Sequence, residues 1–173
     1  MSVTQRDLDH QQETNAKVLA YLLQPENDFY IVAHANGERQ TTLNFLRLVT
    51  TRLPEIRVLL DVGAQILKFS NEQVAEAWLN TARVAAGAIY FNENDELTVL
   101  ARNGITQLLP SSPLSQQLDC CVVYLDHAHT RGTDLRLPVG SRAAVTLGPK
   151  VTKDALVQGS FRHSDPMNKS HGL

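Results

Sequence analysis

The sequence has no uninterrupted apolar run near the roughly 18 residues that a membrane-spanning helix needs. Its start, MSVTQRDLDH, also lacks the apolar stretch of a secretion signal. No membrane partner is therefore expected, and the chain reads as intracellular, cytoplasmic or nuclear. Cysteine is scarce as well: Cys120 and Cys121 are the only two, and they are adjacent. That does not fit the dispersed, even-numbered framework of a secreted disulfide scaffold, and it points to reduced thiols. Internal repeats, low-complexity tracts and long linkers are absent, so one domain with loose ends is expected. No Gly-x-x-x-x-Gly-Lys-Ser/Thr phosphate loop occurs in the 173 residues, and the chain alone is not expected to hydrolyse ATP.

What is present is ordinary for a globular protein: 43% hydrophobic and 20% charged residues, in a length that one domain can turn into a real core. The net charge of -2 hides a gradient. Residues 1 to 126 carry 9 basic and 15 acidic side chains, whereas 127 to 173 carry 7 and 3. A locally cationic C-terminal part favours an anionic ligand such as phosphate or nucleic acid, although gradients of this size also occur on inert surfaces.

Element order gives the fold class. Thr4 to Asp7 can cap a first helix whose apolar face is Val18, Leu19, Leu22 and Leu23, ending at Pro25; Phe29 to Ala33 reads as a strand. Leu43, Leu46 and Val49 at three-residue spacing predict a helix that stops before Pro54, with a strand at Ile56 to Leu60. Ser70-Asn71-Glu72-Gln73 is a capping box, followed by the apolar stripe Val74, Ala75, Trp78, Leu79 and Ala82. Ala88 to Phe91 is a strand. Leu97 to Leu100 and Ile105 to Leu109 around Asn103-Gly104 form a hairpin with a type I′ turn. Cys120 to Leu125 is apolar on both faces, as a central parallel strand is, and Ala143 to Leu147 looks similar; Thr152 to Phe161 completes the series as a helix. Strands alternating with helices imply an α/β domain, a parallel sheet flanked by helices with an added antiparallel hairpin. The expected organisation is an N-terminal helix over 1-24, a single α/β domain over 25-162 and a disordered tail over 163-173.

Ligands of open α/β sheets bind at the carboxyl ends of the strands. The strand ending at Leu125 delivers Asp126, His127, Ala128, His129, Thr130, Arg131, Gly132, Thr133 and Asp134 to that edge. Gly132 lets backbone approach a ligand, Arg131 can grip phosphate with a bidentate fork, and Asp134 can orient that arginine. The same four residues, Arg-Gly-Thr-Asp, also suit a tight turn with an Asx cap. Asp126-His127-Ala128-His129 is superficially like the Asp-Glu-Ala-His box of helicases, but His127 stands where the water-activating Glu belongs. Two histidines and one carboxylate on a loop do not specify a metal site, and neither a metal nor a cofactor is expected. Cys121 with His129 is conceivable as a nucleophile and base, but cysteine within an aliphatic strand usually packs in the core. Trp78, Tyr21, Tyr90 and Tyr124 are read as core in the same way.

Several runs resemble a known family: Arg57 to Leu67, Ser70 to Glu72, Ala77 to Leu79, Val123 to Asp126, and His129 to Leu135 with Leu137-Pro138. Ala143 to Pro149, Thr152 to Asp154 and Leu156 to Gln158 extend the match. Over about residues 25 to 162 the chain is similar to the large, mostly fungal ubiquitin thioesterase-like, or ubiquitinyl hydrolase-like, proteins. The resemblance implies that this stretch is a small part of a very long chain and has a RecA-like fold of the helicase second-lobe type. It implies thiol-dependent removal of ubiquitin as the activity, with ubiquitin or a ubiquitinated protein as partner, but it places no catalytic cysteine here. The Arg131 to Asp134 run is similar to a motif that couples nucleotide state to the lobe interface. Gln158 and Arg162 stand where the following helix offers a Gln and an arginine finger. After Gln158 the sequence departs from the family. A nucleotide- or nucleic-acid-binding lobe that needs a partner lobe, without catalysis of its own, is the alternative.

Overall fold

The computed structural model describes residues 41–52, 55–130, 133, 135, 137 and 141–148. The predicted first helix, the strand at 29–33, the helix at 152–161 and the tail lie outside them.

Helix α1 runs Thr42–Thr50, with Thr41 as N-cap accepting from the Asn44 N–H. Leu46 and Val49 are buried and Phe45 packs beside them. Leu43, read from the sequence as part of the apolar stripe, is 45% exposed and sits at its margin. Helix α2 runs Asn71–Thr81. Its capping box is formed: the Ser70 hydroxyl accepts from the Gln73 N–H, and the Gln73 side chain accepts from the Ser70 N–H. At the other end Arg102 donates to the carbonyls of Leu79, Ala82 and Ala85, supplying the acceptors of the last turn with charged donors.

Among the described residues six strands form one sheet: β1 Ile56–Leu60, β2 Gly87–Phe91, β3 Leu97–Ala101, β4 Thr106–Leu108, β5 Cys121–Leu125 and β6 Arg142–Val145. Their order is β4-β3-β2-β5-β1-β6. The four strands β2, β5, β1 and β6 are mutually parallel, and β3 and β4 extend the β2 edge antiparallel. The class is α/β with a mixed sheet flanked by helices.

Every residue of β5 is buried, and its side chains alternate between two cores. Val122 and Tyr124 join Trp78, Leu79 and Leu46 under the two helices. Cys121, Val123 and Leu125 join Val58, Leu60, Ile89 and Leu109 on the opposite face. Three short 3-10 turns over residues 109–120 bring Leu109, Leu114 and Leu118 against that second face, where the sequence suggested only a break. Trp78, Tyr90 and Tyr124 are core residues.

Three expectations are corrected. The β3–β4 turn is not type I′, which requires φ > 0 at both central residues. Only Gly104 has a positive φ there, and the Gly104 N–H donates to the Ala101 carbonyl while the Ala101 N–H donates to Ile105. That is a three-residue loop ending in a left-handed bulge, and the β2–β3 connection repeats it with Asp95 (φ 58) in the left-handed position. Cys120 belongs to a 3-10 turn, so the central strand starts at Cys121. The last strand ends at Val145 and is the outermost described strand beyond β1, half-exposed, with Leu147 after it 50% exposed.

No helix among the described residues is long and apolar enough to cross a membrane.

Candidate functional site

Leu60 and Leu125 are paired across β1 and β5, so the aspartates that follow them, Asp61 and Asp126, emerge side by side at the carboxyl edge. Each carboxylate is held by donors of its own loop, and the two loops are built differently.

Asp61 is buried. The Gln65 N–H donates to Oδ1 at 2.8 Å, the Ile66 N–H to Oδ2 at 3.0 Å, and the Thr146 hydroxyl to Oδ1. An unpaired buried carboxylate would be costly, and these three donors, from the segments that follow two strands, supply its partners. The Asp61 loop is then tied to the end of β6. The Gly63 N–H donates to both the carbonyl (3.0 Å) and the hydroxyl (3.2 Å) of Thr146, and the Thr146 N–H donates to Leu60. A methyl group at Gly63 would come within 2.5 Å of the Gly148 backbone nitrogen, so only glycine permits this approach.

Asp126 is half-buried. The Asn71 side-chain amide, at the first position of α2, donates to Oδ2 at 2.7 Å and also to the Phe91 carbonyl at 3.0 Å. The His129 N–H (2.9 Å) and ring Nδ1 (2.6 Å) both donate to Oδ1. Burial opposes ionisation of Asp126, but the hydrogen bonds from Asn71 and His129 outweigh it and hold the carboxyl below its ordinary value. The His129 ring stacks on Phe91 at 3.9 Å between centroids, nearly parallel, and its Nε2 lies 3.1 Å from Asp95, an exposed residue of the β2–β3 turn. The imidazole thus bridges a half-buried and an exposed carboxylate. His127 is turned the other way, its Nδ1 2.7 Å from the Val62 carbonyl.

Of the ligand-loop residues expected from the sequence, the structure brings Asp126 and His129 together. Thr130 is buried, its hydroxyl donating to the His127 carbonyl, and the Thr133 hydroxyl donates to the His129 carbonyl at 2.6 Å. Both threonines therefore stabilise the loop itself. Arg131, Gly132, Asp134, Gln158 and Arg162 lie outside the described residues.

Cys121 and His129 are not brought together. The cysteine opens β5 and the histidine follows its far end, so about 13 Å of extended strand lies between Cys121 and Leu125. Burial, with Cys120 and Asp119 adding to it, pushes the Cys121 thiol up to about 11, and its Sγ faces the Gln117 carbonyl at 3.6 Å. Among the described residues no group of three or more His, Cys, Asp or Glu can hold a metal ion.

Sequence reasoning left Asp61, Asn71, Asp95 and Thr146 without roles. One signal was available: an apolar strand ending directly in aspartate occurs twice, at Leu60-Asp61 and Leu125-Asp126. In a parallel sheet such repeats at strand ends converge on one edge.

Comparison with protein-family models, with curated proteins and with solved structures finds no match to this chain.

Proposed function

We propose that this chain is the helicase-lobe-like segment of a ubiquitinyl hydrolase-like protein, RecA-like and of second-lobe type. Its contribution is a ligand-engaging edge, and the thiol chemistry of ubiquitin removal belongs elsewhere in the parent protein. The carrying observation is the polarity of β5: its only thiol is buried and held protonated at the amino end, while Asp126, His129 and Asn71 assemble at the carboxyl end.

The strand order supports the same reading. The next parallel strand after β1 is β2, on the β5 side, and the next after β5 is β6, on the β1 side. Connections thus leave β1 and β5 in opposite directions, the arrangement at which α/β sheets form ligand crevices. In this reading the lobe meets a nucleotide or nucleic acid through the loop from Asp126 to Asp134, a partner lobe supplies the missing phosphate loop, and ubiquitin or a ubiquitinated protein is the partner of the whole protein.

Two measurements test it. A ubiquitin probe with a C-terminal electrophile should leave the purified chain unmodified; an adduct that disappears in Cys121→Ser would place thiol catalysis here and overturn the division. A fluorescent ATP analogue and a single-stranded oligonucleotide should bind, more weakly in Arg131→Ala, with a steep salt dependence for the oligonucleotide. Binding of neither by the wild-type chain defeats the ligand-edge reading.

A further inference from the structure

Between the loops that follow β1 and β5 lies an open cleft of about 340 Å³. Its polar wall contains Asp61, Asn71, Tyr124, Asp126 and His127, and its apolar wall is Ala64, Ile66 and Leu67. Three features of this cleft are unused by the contacts described above.

The first is charge. Two carboxylates face the cleft, and no lysine or arginine among the described residues lines it. Among the described residues the Oδ2 of each aspartate accepts a single hydrogen bond, from Ile66 in one case and Asn71 in the other, which leaves an acceptor position on each. The second is Tyr124, only 2% exposed yet part of the cleft wall, whose hydroxyl has no hydrogen-bond partner among the described residues. Burial holds this phenol well above its ordinary value, and Asp61 and Asp126 both add to the effect. A hydroxyl that borders an open cleft without a partner among the described residues is free to accept from a donor that enters it. The third is Leu67, 74% exposed at the cleft rim beside Ile66.

We propose that this cleft receives a primary ammonium group on an alkyl stem, in the form of a lysine side chain presented by a protein partner. An ammonium has three donors and no acceptor, which matches two carboxylate oxygens and a phenolic oxygen. Its methylene stem lies along Leu67 and Ile66, as lysine stems do along apolar surface. A phosphate here would meet two carboxylates, with no cation among the described residues that line the cleft. A bare divalent cation is disfavoured because no metal-binding group of three exists among the described residues. The inference rests on the reading of the carboxyl edge as a binding edge, and adds that this part of it takes a cation.

The test is a titration of the isotopically labelled chain, followed by NMR, with a short glycine-serine peptide carrying one lysine, and with the same peptide bearing acetyl-lysine. The lysine peptide should give saturable shifts at the Gln65 and Ile66 backbone amides and the Asn71 side-chain amide, weakening as salt is added. The acetylated peptide should give none. Tyr124→Phe keeps the buried ring and should weaken binding about five-fold, the loss of one hydrogen bond. Leu67→Ser, at an exposed position, should weaken it about two-fold through lost stem contact. Equal shifts from the acetylated peptide, no saturation in the millimolar range, or unaltered binding by Tyr124→Phe overturns the proposal; so do saturable shifts at these same amides with inorganic phosphate. If a nucleotide binds elsewhere and lysine does not bind here, this inference alone fails. If lysine binds and nucleotide does not, the nucleotide part of the proposed function alone fails.

Discussion

Asp126 accepts two hydrogen bonds from one residue, His129: the backbone N–H at 2.9 Å and the ring Nδ1 at 2.6 Å to the same oxygen. The pair closes the turn after β5 while Phe91 carries the ring face. His129→Ala removes the charge-assisted bond and the stack together and should cost about 1.5–3 kcal/mol. His129→Phe keeps a ring over Phe91 and should recover part of that loss. Urea unfolding midpoints of the two variants read the difference directly; equal midpoints would mean that stacking adds nothing.

The acid limb of stability should report Asp126. Its folded value is lowered below the ordinary 3.8, so its contribution is complete above that value and drains away as pH falls through the lowered one. Asn71→Ala removes one donor, brings the folded value back toward 3.8, and should shrink the stability lost on acidification. Asp126→Asn should remove this contribution altogether. Urea midpoints measured between about pH 2 and pH 5 check both; a wild-type and an Asp126→Asn acid limb of the same steepness would contradict the assignment.

Arg102 donates to three carbonyls at and beyond the end of α2, at distances of 3.1, 2.6 and 2.8 Å for Leu79, Ala82 and Ala85. Lysine cannot reproduce a planar fork that reaches several acceptors. Arg102→Lys should therefore lose most of what Arg102→Ala loses, about 2 kcal/mol, and thermal melts should place the two variants close together. Hydrogen exchange at Leu79 to Ala82 should accelerate in both.

At Gly63 an added methyl group meets backbone, not a movable side chain: 2.5 Å to the Gly148 nitrogen and 2.6 Å to the Leu147 carbonyl carbon. Gly63→Ala should cost about 1–3 kcal/mol as the β1 and β6 loops part. The readout is the denaturant midpoint, with loss of exchange protection at the Gly63 and Thr146 amides as the local signature. Full protection of both in the variant would show that the loops give way without cost.

The Cys121 thiol, pushed up to about 11 and buried, should resist alkylation in the folded protein at neutral pH and react fully in urea. Mass spectrometry after iodoacetamide treatment, with peptide mapping to separate Cys120 from Cys121, decides it.

Much of the local structure was legible in the chain because local chemistry specifies it. Ser70 to Gln73 announces its helix with two reciprocal hydrogen bonds, and the all-apolar run through Leu125 announces a strand covered on both faces. What was illegible depends on partners distant in sequence. Ala143 to Leu147 is also largely apolar, yet it is the outermost described strand, beyond β1, and composition does not state the order of strands in a sheet. Asn103 allowed a left-handed turn that the three-residue loop did not need. At the candidate site, Asp126 and His129 lie three positions apart and were found together. Asn71 and Asp61 are 55 and 65 positions from Asp126, and only the sheet order places them beside it.

That order also sets a schedule. Strand β1 sits between β5 and β6, both of which leave the ribosome after it. Until residue 125 has emerged, the sequence Val58-Leu59-Leu60 has neither of its two neighbours, and the β2–β3–β4 ribbon can form first because its pairings are consecutive. A nascent chain whose residues up to about 110 have emerged should therefore expose one bare apolar strand beside a finished ribbon, the kind of species that chaperones bind and that aggregates in their absence.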